Sequence, residues 1–163
     1  MFGGNTAALY ELSCLAAEHN VYLAVNVGRN VVRDGEMKQF NTDVVFDRSG
    51  HITAVYDKRN LFMTEKKIFN TPQLEIVTFQ TEFGKFGVMT CFDALYDHPF
   101  LDLVETQVLI FFKQVKRLKL LLQKIDTLIF LTAWQNVSPH FTSIGYHSGL
   151  ARGKQINYLA SNR

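Results

Sequence analysis

A lysine and a cysteine each follow a strand-like segment of this chain. Lys58 lies in the run YDKRNLFMTE, and Cys91 lies in the run GKFGVMTCFD. A thiol at a strand end can attack an amide carbonyl when a cation lies beside it, and backbone N–H groups of the following turn can bind the developing oxyanion. The pair therefore predicts an amide-hydrolysing site with Cys91 as its nucleophile.

Each of these residues also has a simpler explanation when it is taken alone. Free cysteine is among the most buried residue types, so an isolated Cys91 is more often a small core residue. Most lysines are exposed, and Glu65, seven residues after Lys58, could be a surface acid beside Lys66 and Lys67. A lysine stays charged beside a thiol when it is buried with a carboxylate neighbour, so these residues indicate a site only together.

Length and composition indicate a single globular domain. The chain has 163 residues, of which 47% are hydrophobic and 20% charged, enough apolar residues for a sizeable core. Its net charge is +2, but residues 108–123 hold four basic residues and no acid, so the rest of the chain has a net charge of −2. Basic charge confined to one short segment argues against a nucleic-acid partner.

The apolar patterning predicts helices that alternate with strands and hairpins. Gly50 is expected at positive φ in one hairpin turn, Gly84 is expected in the turn of a second hairpin, and a loop is expected after Gly28. This order indicates an α/β domain with a mixed sheet. The predicted helices are 6–18, 94–107 and 140–155, and the predicted strands are 21–28, 43–46, 52–56, 75–79, 86–90, 127–134 and 156–162.

Several runs resemble the vanin (pantetheinase) and biotinidase branch of the nitrilase superfamily. They include YDKRNLFMTE, EIVTFQTEFGKFGVMTCFD, DTLIFLTAWQNVSPH and NYLASN, and the similarity covers nearly all of the chain outside 108–123. The resemblance implies an αββα sandwich. It also predicts that residues 1–163 are a partial carbon-nitrogen hydrolase domain, incomplete at both ends.

The resemblance implies hydrolysis of linear amides through a cysteine thioester, with neither a metal nor a cofactor. Lys58 matches the catalytic lysine, Glu65 its supporting glutamate and Cys91 the nucleophile, while the backbone N–H of Phe92 would bind the oxyanion. The implied substrate is a small amide, either pantetheine or a biotinyl amide. Trp134 could line the substrate pocket, although ordinary core packing explains it equally well.

The resemblance also places a general-base glutamate upstream of the helix 6–18, in a segment that this chain does not contain. Glu11 and Glu18 fall on that helix and Glu36 in a polar loop, so none of them follows a strand as the role requires. The site is therefore expected to be two-thirds of a triad. Either hydrolysis is impaired, or the chain is an inactive remnant that acts as a binding module.

Residues 108–123 interrupt the similarity and are interpreted as an insertion foreign to the family. They could form a basic amphipathic helix for a membrane surface or a partner groove, but a gene-model error is the favoured explanation. No signal peptide or transmembrane helix is predicted, and Cys14 and Cys91 are expected to be unpaired thiols. The resemblance itself implies an extracellular or cell-surface location, and the oligomeric state stays open.

Overall fold

The first half of the chain folds into one helix and an antiparallel sheet. The computed structural model describes residues 6–105, 124–138 and 142–162. The strand order in this sheet is β1-β2-β3, and all neighbours are antiparallel. Its elements are α1 (Thr6–Glu18), β1 (Leu23–Arg33), β2 (Glu36–Phe46) and β3 (Ile52–Asp57).

The second half folds into a mixed sheet and two helices. In the strand order β4-β5-β6-β7, β5 is antiparallel to β4 and parallel to β6, and β6 is parallel to β7. Short 3-10 turns follow β3 at Met63–Lys67 and β5 at Cys91–Leu95. The remaining elements are β4 (Thr78–Thr81), β5 (Gly84–Thr90), α2 (Asp97–Val104), β6 (Thr127–Thr132), α3 (Ser143–Lys154) and β7 (Asn157–Asn162).

The two sheets pack face to face around an apolar layer. Val45 of β2, Tyr56 of β3 and Val88 of β5 are buried in this layer. Val44 and Phe46 flank Val45 and lie on the opposite face of β2, because successive side chains alternate across a strand. They pack instead against α1.

The other face of the second sheet is covered by α2 and α3. Leu103 of α2 and Phe130 of β6 belong to one buried cluster, and Leu150 of α3 packs against it. The layers are therefore helix, sheet, sheet and helix, which confirms the predicted αββα sandwich. Within the described parts of the chain, no helix is long and apolar enough to cross a membrane.

The loop predicted after Gly28 is wrong. The strand continues to Arg33 and pairs along its whole length with β2. Asp34 and Gly35 make the turn with φ of 54° and 79°, and positive φ at both positions matches the right-handed twist of a hairpin. The β-branched pair Val31 and Val32 suits the extended strand.

The helix predicted over 94–107 is shorter than expected. The chain leaves β5 through the 3-10 turn Cys91–Leu95, and Tyr96 is extended before α2 begins. His98 is also extended (φ −112°, ψ 128°), because the residue before a proline disfavours the α conformation. The segment interpreted as an insertion, 108–123, lies outside the described residues.

The turn between β2 and β3 is fixed by Gly50. Its φ is 81°, as predicted, and a Cβ at this position would lie 2.5 Å from the backbone oxygen of Ser13. The hairpin therefore packs directly against α1, and β3 ends at Asp57, immediately before Lys58.

Candidate active site

Lys58 is buried and held by a fully engaged carboxylate. The exposed fraction of Lys58 is 2%, and its Nζ donates to Glu65 Oε2 at 2.6 Å. The same oxygen accepts from the backbone N–H of Phe62 at 2.6 Å, and Glu65 Oε1 accepts from Asn41 Nδ2 at 3.0 Å. The folded chain thus places a compensated cation at the end of β3.

Cys91 lies on a sharp strand-to-turn elbow. Thr90, the last residue of β5, is extended, whereas Cys91 has a φ of 43°. A positive φ is uncommon for a residue with a Cβ and costs conformational energy, so the surrounding structure must hold it. The thiol is half-buried, and Cys14 is exposed; both are free thiols, as predicted.

One cavity of about 530 Å³ joins the predicted residues. Lys58, Glu65 and Cys91 all line it, although 33 residues separate the lysine from the cysteine in sequence. The two sheets create this arrangement, because the ends of β3 and β5 meet at the same edge of the sandwich. Other polar side chains on the cavity wall are Asn26, Asn41, Thr90, Thr132 and Ser161.

Phe92 is the second residue of the 3-10 turn. Its backbone N–H therefore precedes the first hydrogen bond of the turn and has no partner within it. Its ring makes edge contacts with Phe62 at 5.0 Å and with Tyr96 at 5.3 Å between centroids. These contacts fix the turn that would present the N–H to an oxyanion.

Trp134 packs against the core and also lines a cavity. It lines a second, mostly apolar cavity of about 220 Å³ that Cys91 also borders. Its ring stacks on Tyr146 at 4.9 Å and packs against the buried cluster under α2 and α3. Core packing and lining of a substrate pocket, the two explanations for Trp134, are thus both compatible with its position.

Asp93, which the sequence did not reveal, connects the strand ends that carry Lys58 and Cys91. This residue is fully buried, and its Oδ2 accepts from Tyr56 Oη at 2.7 Å. Its Oδ1 accepts from the backbone N–H and the side-chain Nδ2 of Asn60 at 2.7 and 2.9 Å. Tyr56 and Asn60 flank Lys58, and Asp93 is two residues after Cys91. One carboxylate therefore ties the segment that carries Lys58 to the segment that carries Cys91.

A second buried carboxylate, Asp43 of β2, was also missed. Its Oδ2 accepts from Thr90 Oγ1 at 2.6 Å, and its Oδ1 accepts from Asn26 Nδ2 at 2.7 Å. Burial raises the pKa of Asp43 to about 7; the hydrogen bonds lower it, Asp93 raises it and Lys58 lowers it. Burial likewise raises the pKa of Asp93. Their cross-sheet partners are far apart in sequence, so local patterns could not reveal them.

The raised pKa of Asp43 predicts that the stability of the fold depends on pH. The folded chain keeps a proton on Asp43 up to pH about 7, whereas the ordinary pKa is 3.8, so the folded state binds more protons between these values and stability falls as pH rises. Asp43→Asn cannot titrate. Its free energy of unfolding, relative to the native chain, should therefore rise by about 2 kcal/mol between pH 5 and 7.

Urea unfolding at several pH values measures this difference, with the exposed Asp97→Asn as the matched control. A difference between Asp43→Asn and the native chain that stays constant from pH 5 to pH 7 would contradict the raised pKa.

The three glutamates considered as a base lie elsewhere. Glu11 and Glu18 are exposed on α1, and Glu36 is exposed at the start of β2, where it pairs with Lys38 at 2.8 Å. None of the three lines the cavity with Cys91.

The sequence of the chain matches one protein family over most of its length. The sequence profile of the carbon-nitrogen hydrolases matches residues 3–137, which is most of the chain. The chain belongs to the carbon-nitrogen hydrolase family.

Curated members of the family extend the similarity over nearly the whole chain. The chain is 41% identical to the pantetheinase of Bos taurus, over 98% of this chain and 30% of that protein. It is 40% identical to the pantetheinase of Homo sapiens (98% and 29%) and 36% identical to the biotinidase of Takifugu rubripes (97% and 30%). The resemblance to the vanin and biotinidase branch is therefore confirmed, and the chain spans about three-tenths of these relatives.

Solved structures show the same fold. A carbon-nitrogen hydrolase from Helicobacter pylori G27 matches with a TM-score of 0.72 and 21% identity, over 99% of this chain and 53% of that one. An amidase from Neterenkonia sp. AN1 matches with a TM-score of 0.68 and 15% identity, over 96% and 53%. The αββα arrangement is thus the nitrilase-type sandwich of the family.

Proposed function

We propose that this chain carries the acyl-transfer half of a site that hydrolyses linear amides through a cysteine thioester, as a pantetheine hydrolase would. The observation that carries the proposal is the shared cavity. It brings the thiol of Cys91, on a positive-φ elbow, to the buried Lys58 and its half-buried partner Glu65. The relatives named pantetheinase support pantetheine as the substrate, with pantothenate and cysteamine as products.

In this mechanism Cys91 Sγ attacks the amide carbonyl. Lys58 Nζ and the backbone N–H of Phe92 stabilise the negative charge that develops on the carbonyl oxygen. The amine then leaves with a proton, and water hydrolyses the thioester to release the acid. Glu65 holds Lys58 in position, because its Oε2 accepts from Lys58 Nζ and its two oxygens are themselves fixed by hydrogen bonds from Phe62 and Asn41. Trp134 would contact the substrate from the apolar cavity.

Proton transfer is the weaker half of the site. A free thiol is mostly protonated at neutral pH, so its attack needs a base, and the leaving amine needs an acid. Among the described residues, Glu65 is the carboxylate that lines these cavities, and it is already bound to Lys58. We therefore propose that the chain alone hydrolyses amides poorly.

An activated ester tests acyl transfer without the general acid that an amide needs, because p-nitrophenolate leaves without a proton. With p-nitrophenyl acetate, the Cys14→Ser chain should release about one equivalent of p-nitrophenolate per chain in a burst and then turn over slowly. With pantetheine, it should release almost no cysteamine. Absence of a Cys91-dependent burst would contradict acyl transfer and favour the alternative of an inactive remnant that acts as a binding module.

The opposite result would contradict the impaired half of the proposal. Cys91-dependent release of cysteamine at about 10 s⁻¹, a rate typical of intact enzymes, would show that proton transfer is present.

Biotinidase-like hydrolysis is the second candidate, since the biotinidase of Takifugu rubripes is 36% identical. Comparison of biotinyl and pantothenyl p-nitrophenyl esters in the same burst assay distinguishes the two acyl groups.

We further propose that the protein acts outside the cell or at its surface.

A further inference from the structure

A chain of hydrogen bonds runs along one wall of the Cys91 cavity. Asn26 Nδ2 donates to Asp43 Oδ1 and to Asn41 Oδ1, each at 2.7 Å. Asn41 Nδ2 then donates to Glu65 Oε1 at 3.0 Å. These hydrogen bonds thus connect Glu65, the partner of Lys58, to the buried Asp43 on β2. Both amides, Asn26 and Asn41, line the cavity.

The carboxylate of Glu65 at one end fixes the orientation of both amides. Glu65 pairs with Lys58 and accepts hydrogen bonds, so Asn41 must turn its NH₂ group toward Glu65 and its oxygen toward Asn26. Asn26 must then turn its NH₂ group toward the oxygen of Asn41, and the same group also donates to Asp43. The opposite orientation would place its oxygen against the oxygen of Asn41, a repulsive contact between two acceptors.

This orientation leaves one group of Asn26 available to a ligand. Both of its N–H donors are used, and its carbonyl Oδ1 has no hydrogen-bond partner among the residues that the structure describes. Asn26 is exposed on the wall of the cavity. Its free group is therefore an acceptor on the wall of the cavity that Cys91 also lines.

We propose that Asn26 is a specificity-determining residue whose Oδ1 accepts a hydrogen bond from an O–H or N–H group of the substrate. The inference rests on the proposed function, because it takes the cavity beside Cys91 as the substrate site. The preferred substrate is an amide with a hydrogen-bond donor within reach of the scissile carbonyl, and an ether at the same position is disfavoured because an ether oxygen would face Oδ1.

Two small amides test this preference without any chemical step. Lactamide carries a hydroxyl group, and 2-methoxypropanamide is its methyl ether. Titrations of the Cys91→Ala chain, followed by NMR, should give a dissociation constant about three- to tenfold lower for lactamide, the effect of one neutral hydrogen bond. Asn26→Ala in the same background should reduce the ratio of the two constants to about 1.

Asn30→Ala is the matched control, because Asn30 lies on the same strand and does not line the cavity. It should keep the preference. Equal binding of the two amides, a preference that survives Asn26→Ala, or failure of both amides to bind would overturn the inference. The comparison of two ligands on one chain stays valid even if Asn26→Ala fails to fold. Loss of the p-nitrophenolate burst would instead overturn the proposed function, so the two failures are distinguishable.

Discussion

Lys58→Met should slow the acylation of Cys91 by p-nitrophenyl acetate by between about a hundredfold and a thousandfold, the usual effect of removing one oxyanion donor. Methionine nearly matches the length of the lysine stem but removes the charge that faces the carbonyl oxygen. Because Lys58 is 2% exposed, water cannot easily replace it. The burst rate under excess ester measures the effect directly.

The fold should survive this substitution. The side chain of Glu65 is 26% exposed, and it keeps its bonds to Phe62 and Asn41 when the lysine is gone. Lys67→Met is the matched control, because Lys67 belongs to the same 3-10 turn but is exposed. A loss of less than about threefold in Lys58→Met, with the control unchanged, would show that Lys58 has no part in acylation.

Asp93→Ala should lower the free energy of unfolding by about 4 kcal/mol. The substitution leaves the buried hydroxyl of Tyr56 and the two N–H donors of Asn60 without their acceptor. Each unsatisfied buried donor costs about 1–3 kcal/mol. Since Asp93 also accepts a weak bond of 3.4 Å from the N–H of Thr90, the positive-φ elbow at Cys91 loses a support as well.

Urea unfolding followed by circular dichroism gives this difference. The exposed Asp97→Ala, four residues away, should cost less than about 1 kcal/mol, because it removes one carboxylate from the start of α2. Equal losses for the two variants would contradict a connecting role for Asp93.

The strand ends of the candidate site could be predicted from the sequence, because their signals are local. Gly50 and Gly84 mark two turns, and the β-branched and aromatic runs beside them predict strands that end shortly before Lys58 and Cys91. The resemblance then supplied the role of Glu65, which the structure places 2.6 Å from the lysine. Burial of Lys58 could not be read from the sequence, since lysine is usually exposed.

The support for the site depends on contacts between distant segments. Asp43 reaches Thr90 across 47 positions of sequence, and Asp93 reaches Tyr56 across 37. Such pairs depend on how the two sheets face each other, which periodicity does not encode. Asn26 was placed in a predicted strand, but the role proposed for it follows from the orientation of two amides, which Glu65 fixes from another element.

The most direct test of the central claim is to locate the acyl group after reaction with p-nitrophenyl acetate. The native chain offers an internal comparison, because Cys14 is an exposed free thiol and Cys91 is half-buried. Peptide mass spectrometry of the quenched chain should find the acetyl thioester mainly on Cys91, and Lys58→Met should abolish that preference. An acetyl group found mainly on Cys14, or equally on both cysteines, would contradict a nucleophile activated by the Lys58 and Glu65 pair.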